Sequence, residues 1–304
     1  MTENDVLTEA WSEHRGLMLD IAYRMLGNVG DAEDVVQEAF DKLLRHDGKP
    51  IADQRAWLVV VVSRLCLDQL RSARIRRAAH VGPWLPEALV ELTDGGSTDP
   101  LDLITLDESV RMAFLIVLER MSPAERVAFV LHDVFAFSFE EIATVVDRSA
   151  SACRQLASRA RRWIEKDDAS RTFPTDPDEL RRVNAAFIAA CATGDIEALV
   201  PLLDPSVAGW ADVGGASRAV REPTVGIDSV AEGSIRQFRP ESGMALDACL
   251  VNGEPGIIAL RSGQVFAVLV LTVRQGLITR LNAQAAPSKL VRVQQAVSAA
   301  RGEH

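Results

Sequence analysis

The sequence predicts a multidomain chain: an all-α half, made of a helix bundle and a helix-turn-helix, followed by a C-terminal α+β domain. Three observations carry this. Apolar residues recur at helical spacing through residues 14–77 and again through 139–164. An acidic stretch with Pro86, Gly95-Gly96 and Pro100 separates those two blocks. Beyond Pro177, two helical segments give way to short strand-like runs punctuated by Gly and by Asn-Gly or Gln-Gly pairs. The expected boundaries are a helical domain over 1–83, a linker over 84–110, a helix-turn-helix domain over 111–166, a short linker over 167–176 and a last domain over 177–304.

The first helix is expected over His14–Leu26, ended by Gly27-Asn28-Val29-Gly30. Asp31 is expected to cap a second helix, DAEDVVQEAFDKLLR, whose first-turn acids suit the helix dipole. Val35, Val36, Ala39, Phe40, Leu43 and Leu44 form its apolar side. Asp31, Asp34, Gln37, Glu38 and Asp41 form an acidic outer side, which by itself is equally a solvated face. A third helix, Asp53–Arg77, is apolar nearly all round in its first half and is therefore expected at the centre of the bundle. Its second half carries Arg64, Arg71, Arg74, Arg76 and Arg77 against one acid, Asp68. That pattern fits a nucleic-acid surface or a basic helix end favoured by the dipole.

Residues 138–164, SFEEIATVVDRSASACRQLASRARRWI, read as two helices joined by a tight corner. Phe139, Ile142, Ala143 and Val146 line the first. Asp147-Arg148-Ser149 breaks the pattern, and Ser149 can cap the second. On that second helix Cys153, Leu156, Ala157 and Ala160 face inward. Ser151, Arg154, Gln155, Ser158, Arg159 and Arg162 face outward: hydroxyls, a carboxamide and guanidiniums, with no carboxylate. Such a face suits the DNA major groove.

The chain of 304 residues has a net charge of −10, which suits a DNA binder poorly unless basic residues are local. They are: residues 111–166 hold 9 basic and 7 acidic residues, whereas 84–110 hold 7 acidic and no basic ones. Weak binding to bare DNA follows, and with it the need for a larger partner. No run of about 18 apolar residues indicates a membrane span, and the acidic N-terminus lacks a signal-peptide pattern. Cys66, Cys153, Cys191 and Cys249 have no metal-ligand spacing and read as buried free thiols of a reducing compartment, the cytoplasm.

Together these segments resemble sigma factors of the extracytoplasmic-function type. HRGLMLDIAYRMLGNVGDAEDVVQEAF and RAWLVVVVSRLCLDQLRSARIRR are similar to sigma region 2, and MSPAERVAFVLHDVFAFSFEEIATVVDRSASACRQLASRARR to region 4. The resemblance implies that Asp31, Asp34, Gln37 and Glu38 contact core RNA polymerase. It implies that Arg64, Arg71, Arg74, Arg76 and Arg77 hold the melting −10 element. The −35 element would be read by Ser149, Ser151, Arg154, Gln155, Ser158, Arg159 and Arg162. Where the family's turn often carries Gly, this chain has Asp147, which tolerates the left-handed conformation.

The segment around Trp84, Leu85 and Pro86 resembles the linker motif of a sigma factor J-like subgroup that carries a fused domain of SnoaL-like, NTF2-like cone fold. The linker itself reads as extended and mobile. In the fused domain the subgroup's Asp-Gly-rich motif appears as Asp212-Val213-Gly214-Gly215. Its Asn-Pro-Asp-Lys-Leu-like motif is eroded to Asn282 followed at a distance by Lys289-Leu290. These residues would make a regulatory contact in cis between the fused domain and the sigma regions. Residues 172–303 contain no His and no Tyr, so Asp212, Asp228 and Asp247 lack an obvious acid partner. The resemblance therefore implies a transcription initiation factor with no catalysis, cofactor or metal, whose partners are polymerase and promoter DNA. The alternative is a one-component, ligand-sensing helix-turn-helix regulator.

Overall fold

The computed structural model describes residues 3–46, 51–78, 84–92, 110–166, 176–214 and 222–301. The chain divides into two compact units. The first holds residues 1–79, 98–110 and 114–167. The second holds residues 80–97, 111–113 and 168–304.

In the first unit, α1 (Glu3–Leu26) is longer than the expected His14–Leu26, because the pattern upstream is polar and helical at once. Its last turns, Met18 to Leu26, are buried on every side. This helix, not the third, is the bundle's centre: α3 (Gln54–Ala78) leaves Val60 and Val61 only half-buried. Between them α2 (Val29–Leu44) starts earlier than expected. Asn28, in extended backbone, is its cap, accepting from the amide of Asp31 at 2.8 Å, so Asp31 sits inside the first turn. Leu44, expected in the core, is exposed at the C-terminal end of α2.

The second half of this unit follows from α4 (Met112–Leu118) into α5 (Pro123–Phe129), capped by Ser122 and Glu125 in a reciprocal box. One π-helical turn, Val130–Val134, leads to α6 (Phe139–Val146) and α7 (Ala150–Lys166). The corner is made by Asp147 in the left-handed region at φ 55°, as its side chain permits.

The second unit is built on a seven-stranded sheet of order β1-β4-β5-β6-β7-β2-β3. The strands are β1 (Val90–Glu91), β2 (Leu203–Asp212), β3 (Thr224–Val225), β4 (Met244–Val251), β5 (Glu254–Arg261), β6 (Gln264–Arg274) and β7 (Leu277–Gln284). Asn252-Gly253, Ser262-Gly263 and Gln275-Gly276 all have positive φ, the requirement of the two-residue turns that join β4 to β7 as successive hairpins. The meander is antiparallel throughout, but β2 lies parallel to β7, since a helix intervenes between β2 and the meander.

That helix, α10 (Ile227–Phe238), has no counterpart among the elements the sequence predicts. It packs on β2 with α8 (Pro177–Thr193) and the short α9 (Ile196–Leu199) nearby. Phe187, Leu199, Val230, Ile257, Leu269 and Ile278 belong to the core between these helices and the sheet. The tail helix α11 (Pro287–Ala300) packs on β6, where Gln294 accepts from the Val265 amide at 2.7 Å. Within α8, Asn184 is 2% exposed, and neither its carbonyl oxygen nor its amide nitrogen has a hydrogen-bond partner.

Of the expected linker over 84–110, residues 93–109 lie outside the described residues. Residues 84–90 are largely buried in the second unit, and Val90–Glu91 add a strand to the edge of its sheet. They are not a mobile connection. The acids of the linker motif mask an apolar strip, with Leu85, Ala88, Leu89 and Val90 each less than 9% exposed.

Candidate nucleic-acid and polymerase interfaces

The first helix of the helix-turn-helix buries Ile142, Val145 and Val146 and leaves Phe139 and Ala143 half-buried, whereas the second places its side chains as the periodicity predicts. Cys153, Leu156, Ala157 and Ala160 are buried. Ser151, Arg154, Gln155, Arg159 and Arg162 are exposed, and Ser158 is half-buried. Ser149 caps α7 by accepting from the Ala152 amide at 3.2 Å.

What the sequence did not reveal is that several of these cations are already engaged. Arg154 donates to Glu140 at 3.0 Å and lies over the Phe139 ring. Arg159 donates to Glu125 at 2.7 Å, and Arg161 to Asp133 at 2.7 Å. Burial pushes the Glu125 carboxyl up, but Arg159 and the hydroxyl and amide of Ser122 outweigh it and hold the group below the usual carboxylate range. The i to i+14 and longer separations of these pairs hid them from any pattern within one helix.

On α2, Asp34, Gln37 and Glu38 are exposed along one side and Asp31 is half-buried. Glu38 pairs with Lys42 at 2.8 Å, an exposed contact worth little. On α3, Arg71 is exposed beside Asp68 at 3.2 Å. Arg74, Arg76 and Arg77 lie on the helix backbone, but their side chains fall outside the described residues.

Arg64 takes a different partner, donating to the Thr144 carbonyl of α6 at 2.6 Å. Two other arginines also bridge the halves of the first unit. Arg126, 3% exposed, donates to the Met25 carbonyl at the end of α1 at 2.9 Å and to Glu119 at 2.8 Å. Arg24 lies 5.4 Å from the Phe135 ring centroid.

In the second unit the predicted residues converge. Asp212, fully buried at the end of β2, accepts from Lys289 at 2.7 Å, from the Leu85 amide at 3.0 Å and from the Gly214 amide at 2.9 Å. Gly214 has φ 66°, and a Cβ there would crowd Ala286 at 3.3 Å, so glycine is required. The Lys289 ammonium also donates to the Leu85 carbonyl and sits 3.4 Å from the Trp84 ring centroid. Pro86 accepts from Gln284, and Leu290 is buried in α11. Gly215 lies outside the described residues.

Two further anchors, Gln284 and Asn252, carry no signal in the sequence that points to the linker. Gln284 donates to both Leu85 and Pro86 carbonyls, at 3.1 and 3.0 Å. Asn252 accepts from the Leu89 amide at 3.0 Å and returns its own amide to the Leu89 carbonyl at 2.7 Å. As half of an Asn-Gly pair it had signalled only a turn. The separated motif is thus bridged by Gln284 in place of Asn282, which lies within β7 opposite Val270.

Among the described residues no group of His, Cys, Asp and Glu could hold a metal ion, and no helix is long and apolar enough to cross a membrane.

Residues 10–76 match the family Sigma-70 region 2, and residues 111–164 match Sigma-70, region 4. The chain is 42% identical over 294 residues to the probable ECF RNA polymerase sigma factor SigI of Mycobacterium tuberculosis, covering 95% of this chain and 97% of that one. It is 40% identical over 313 residues to the M. tuberculosis ECF RNA polymerase sigma factor SigJ, covering 97% of each. The crystal structure of SigJ superposes with a TM-score of 0.72 at 38% identity, over 93% of this chain and 98% of that one. The helical halves, the fused sheet domain and these full-length matches agree: the chain belongs to the extracytoplasmic-function family of RNA polymerase sigma factors.

Proposed function

We propose that the chain works in the cytoplasm, bringing core RNA polymerase to particular promoters and aiding their opening. The observation that carries the reading is the exposed face of α7, with Ser151, Arg154, Gln155 and Arg159 presented past a left-handed Asp147 in a domain matching region 4. Region 2 supplies the complementary surfaces. The Asp34, Gln37 and Glu38 side of α2 meets polymerase, and the arginines of α3 meet the opened −10 strand. Polymerase contributes most of the binding energy, which accommodates the chain's negative charge.

The regulatory contact in cis is the seating of the linker on the fused domain by Asp212, Gln284, Lys289 and Asn252. A linker held there is withheld from the nucleic-acid channel of polymerase. Catalysis has no part in this reading, and the buried Asp212 is engaged by three donors within the chain.

The test is promoter-dependent run-off transcription with purified core polymerase, comparing the full chain with Asp34→Arg/Glu38→Arg and Arg154→Ala/Arg159→Ala. Loss of polymerase binding in the first and of promoter-specific transcript in the second is expected, with both variants folded. Polymerase binding unaffected by the first pair would overturn the assignment of α2.

A further inference from the structure

An apolar cavity of about 330 Å3 lies in the first unit where region 2 meets region 4. Ala56, Val59 and Val60 of α3 form one wall, and Leu131, Phe137 and Val145 form the other. The cavity is half open to solvent, with Ala56, Glu140, Glu141 and Thr144 exposed around it, and its volume reaches the lower end of ligand pockets, about 300–1,000 Å3.

The polar groups at the mouth are Glu140, Glu141 and Thr144. Each is engaged within the chain. Glu141 accepts from the Ser138 amide at 2.8 Å and its hydroxyl at 2.6 Å, which hold the carboxyl below its ordinary range. Glu140 accepts from Arg154 at 3.0 Å. The Thr144 hydroxyl donates to the Glu141 carbonyl at 2.7 Å, and the Thr144 carbonyl accepts from Arg64 at 2.6 Å. A charged ligand entering here loses water and meets charges that already have partners. An uncharged apolar one only gains by leaving water.

We infer that this cavity is a binding site for a small uncharged apolar molecule, of the size of one ring or a short acyl chain, whose presence holds region 2 against region 4. The walls come from both regions, so the site exists only while they are packed, and its occupant favours that state by its differential affinity alone. Arg64, proposed for the −10 element, stays on the Thr144 carbonyl in that state. The consequence for transcription rests on the sigma reading above; the binding does not.

The probes are n-octanol, n-octanoate and n-octylamine, titrated into the full chain by calorimetry without polymerase or DNA. Octanol should bind saturably, and the two charged probes about tenfold or more weaker, from the desolvation of their charge. Val60→Trp, on a half-buried position, fills the space from α3, and Ala56→Leu fills it from an exposed one. Each should weaken octanol by about tenfold or more, by occupying the same volume, while melting no lower than the parent chain. At about ten times its dissociation constant octanol should slow amide exchange of Val59 and Val145 about tenfold, by mass action.

The inference is overturned by absence of saturable octanol binding, by octanoate or octylamine binding as well as octanol, or by unchanged binding in either folded variant. Exchange at the seam that octanol leaves unchanged overturns the holding role. A chain that transcribes yet fails these titrations loses only this inference. One that binds octanol yet fails in run-off loses only the promoter reading.

Discussion

Replacing Lys289 by Met should release the linker from the fused domain and leave that domain folded. Met preserves most of the side chain's volume and removes the ammonium. The losses are the 2.7 Å ion pair with Asp212, the bond to the Leu85 carbonyl and the position over the Trp84 ring. Removing one member of a buried pair costs about 3–5 kcal/mol, because the other charge is left uncompensated. Asp212 retains the amides of Leu85 and Gly214, at 3.0 and 2.9 Å, which places the cost at the lower end, about 3 kcal/mol. At about 1.4 kcal/mol per decade this is roughly a hundredfold.

Hydrogen exchange reads it directly. The Leu85 and Leu89 amides, bonded to Asp212 and Asn252, should exchange roughly a hundredfold faster, while Ile258 in the middle of β5 is unchanged. Asp212→Asn combined with Lys289→Met should cost clearly less than the sum of the two single changes, since the double variant buries no unpaired charge. The reasoning is refuted if Leu85 exchange is unaltered, if Ile258 accelerates equally, or if the two substitutions are additive.

Three further outcomes follow from other sites. Asn184→Leu should raise stability by about 1–3 kcal/mol in urea melts, because it removes two buried polar atoms that have no partners; a lower midpoint would show that the amide is satisfied. Glu140→Gln should free Arg154 for phosphate, tightening promoter DNA binding and steepening its dependence on log salt by about one unit; an unchanged slope would show that Arg154 does not reach DNA. Burial pushes the Cys191 and Cys249 thiols up to about 12, and raises Cys66 further and Cys153 as well. The folded thiols should therefore resist iodoacetamide at pH 8 until urea opens the chain. Because the folded pKa values lie above the unfolded ones, this stability is complete below about pH 8.5 and is lost as pH rises toward 12, by up to about 1.4 kcal/mol per pH unit for each thiol. Rapid alkylation of the folded chain at pH 8 would contradict it.

The helical half was legible because its signals are local. The inward set of α7, Cys153 to Ala160, follows from spacing alone, and the corner at Asp147 from one residue's tolerance of positive φ. The hairpins announced themselves at Asn252-Gly253 and Gln275-Gly276. The rest depended on residues far apart in the chain. α10 was missed because Gly233 and its polar neighbours dilute the apolar stripe of Val230, Ala231 and Phe238. The parallel β2–β7 pairing leaves no mark in either strand. The linker looked mobile because Pro86, Gly95-Gly96 and its acids are what mobile segments contain. The burial of residues 84–90 is decided by Asp212, Asn252, Gln284 and Lys289, more than a hundred residues downstream. Likewise, the carboxylates that engage Arg154 and Arg159 come from other helices, so spacing could identify the exposed face of α7 but not how much of its charge is spent.

The seated linker also imposes an order in time. Leu85 and Lys289 are 204 residues apart. At about 5–20 residues per second, a ribosome finishes Lys289 roughly 10–40 s after Leu85. Asp212 follows Leu85 by 127 residues and β4 comes later still, so the partners of Leu85, Ala88, Leu89 and Val90 arrive one after another, with Lys289 in α11 last. Closure of the strap is therefore complete only once Lys289 is made, and a product that terminates before it lacks the ion pair to Asp212 and the bond to the Leu85 carbonyl.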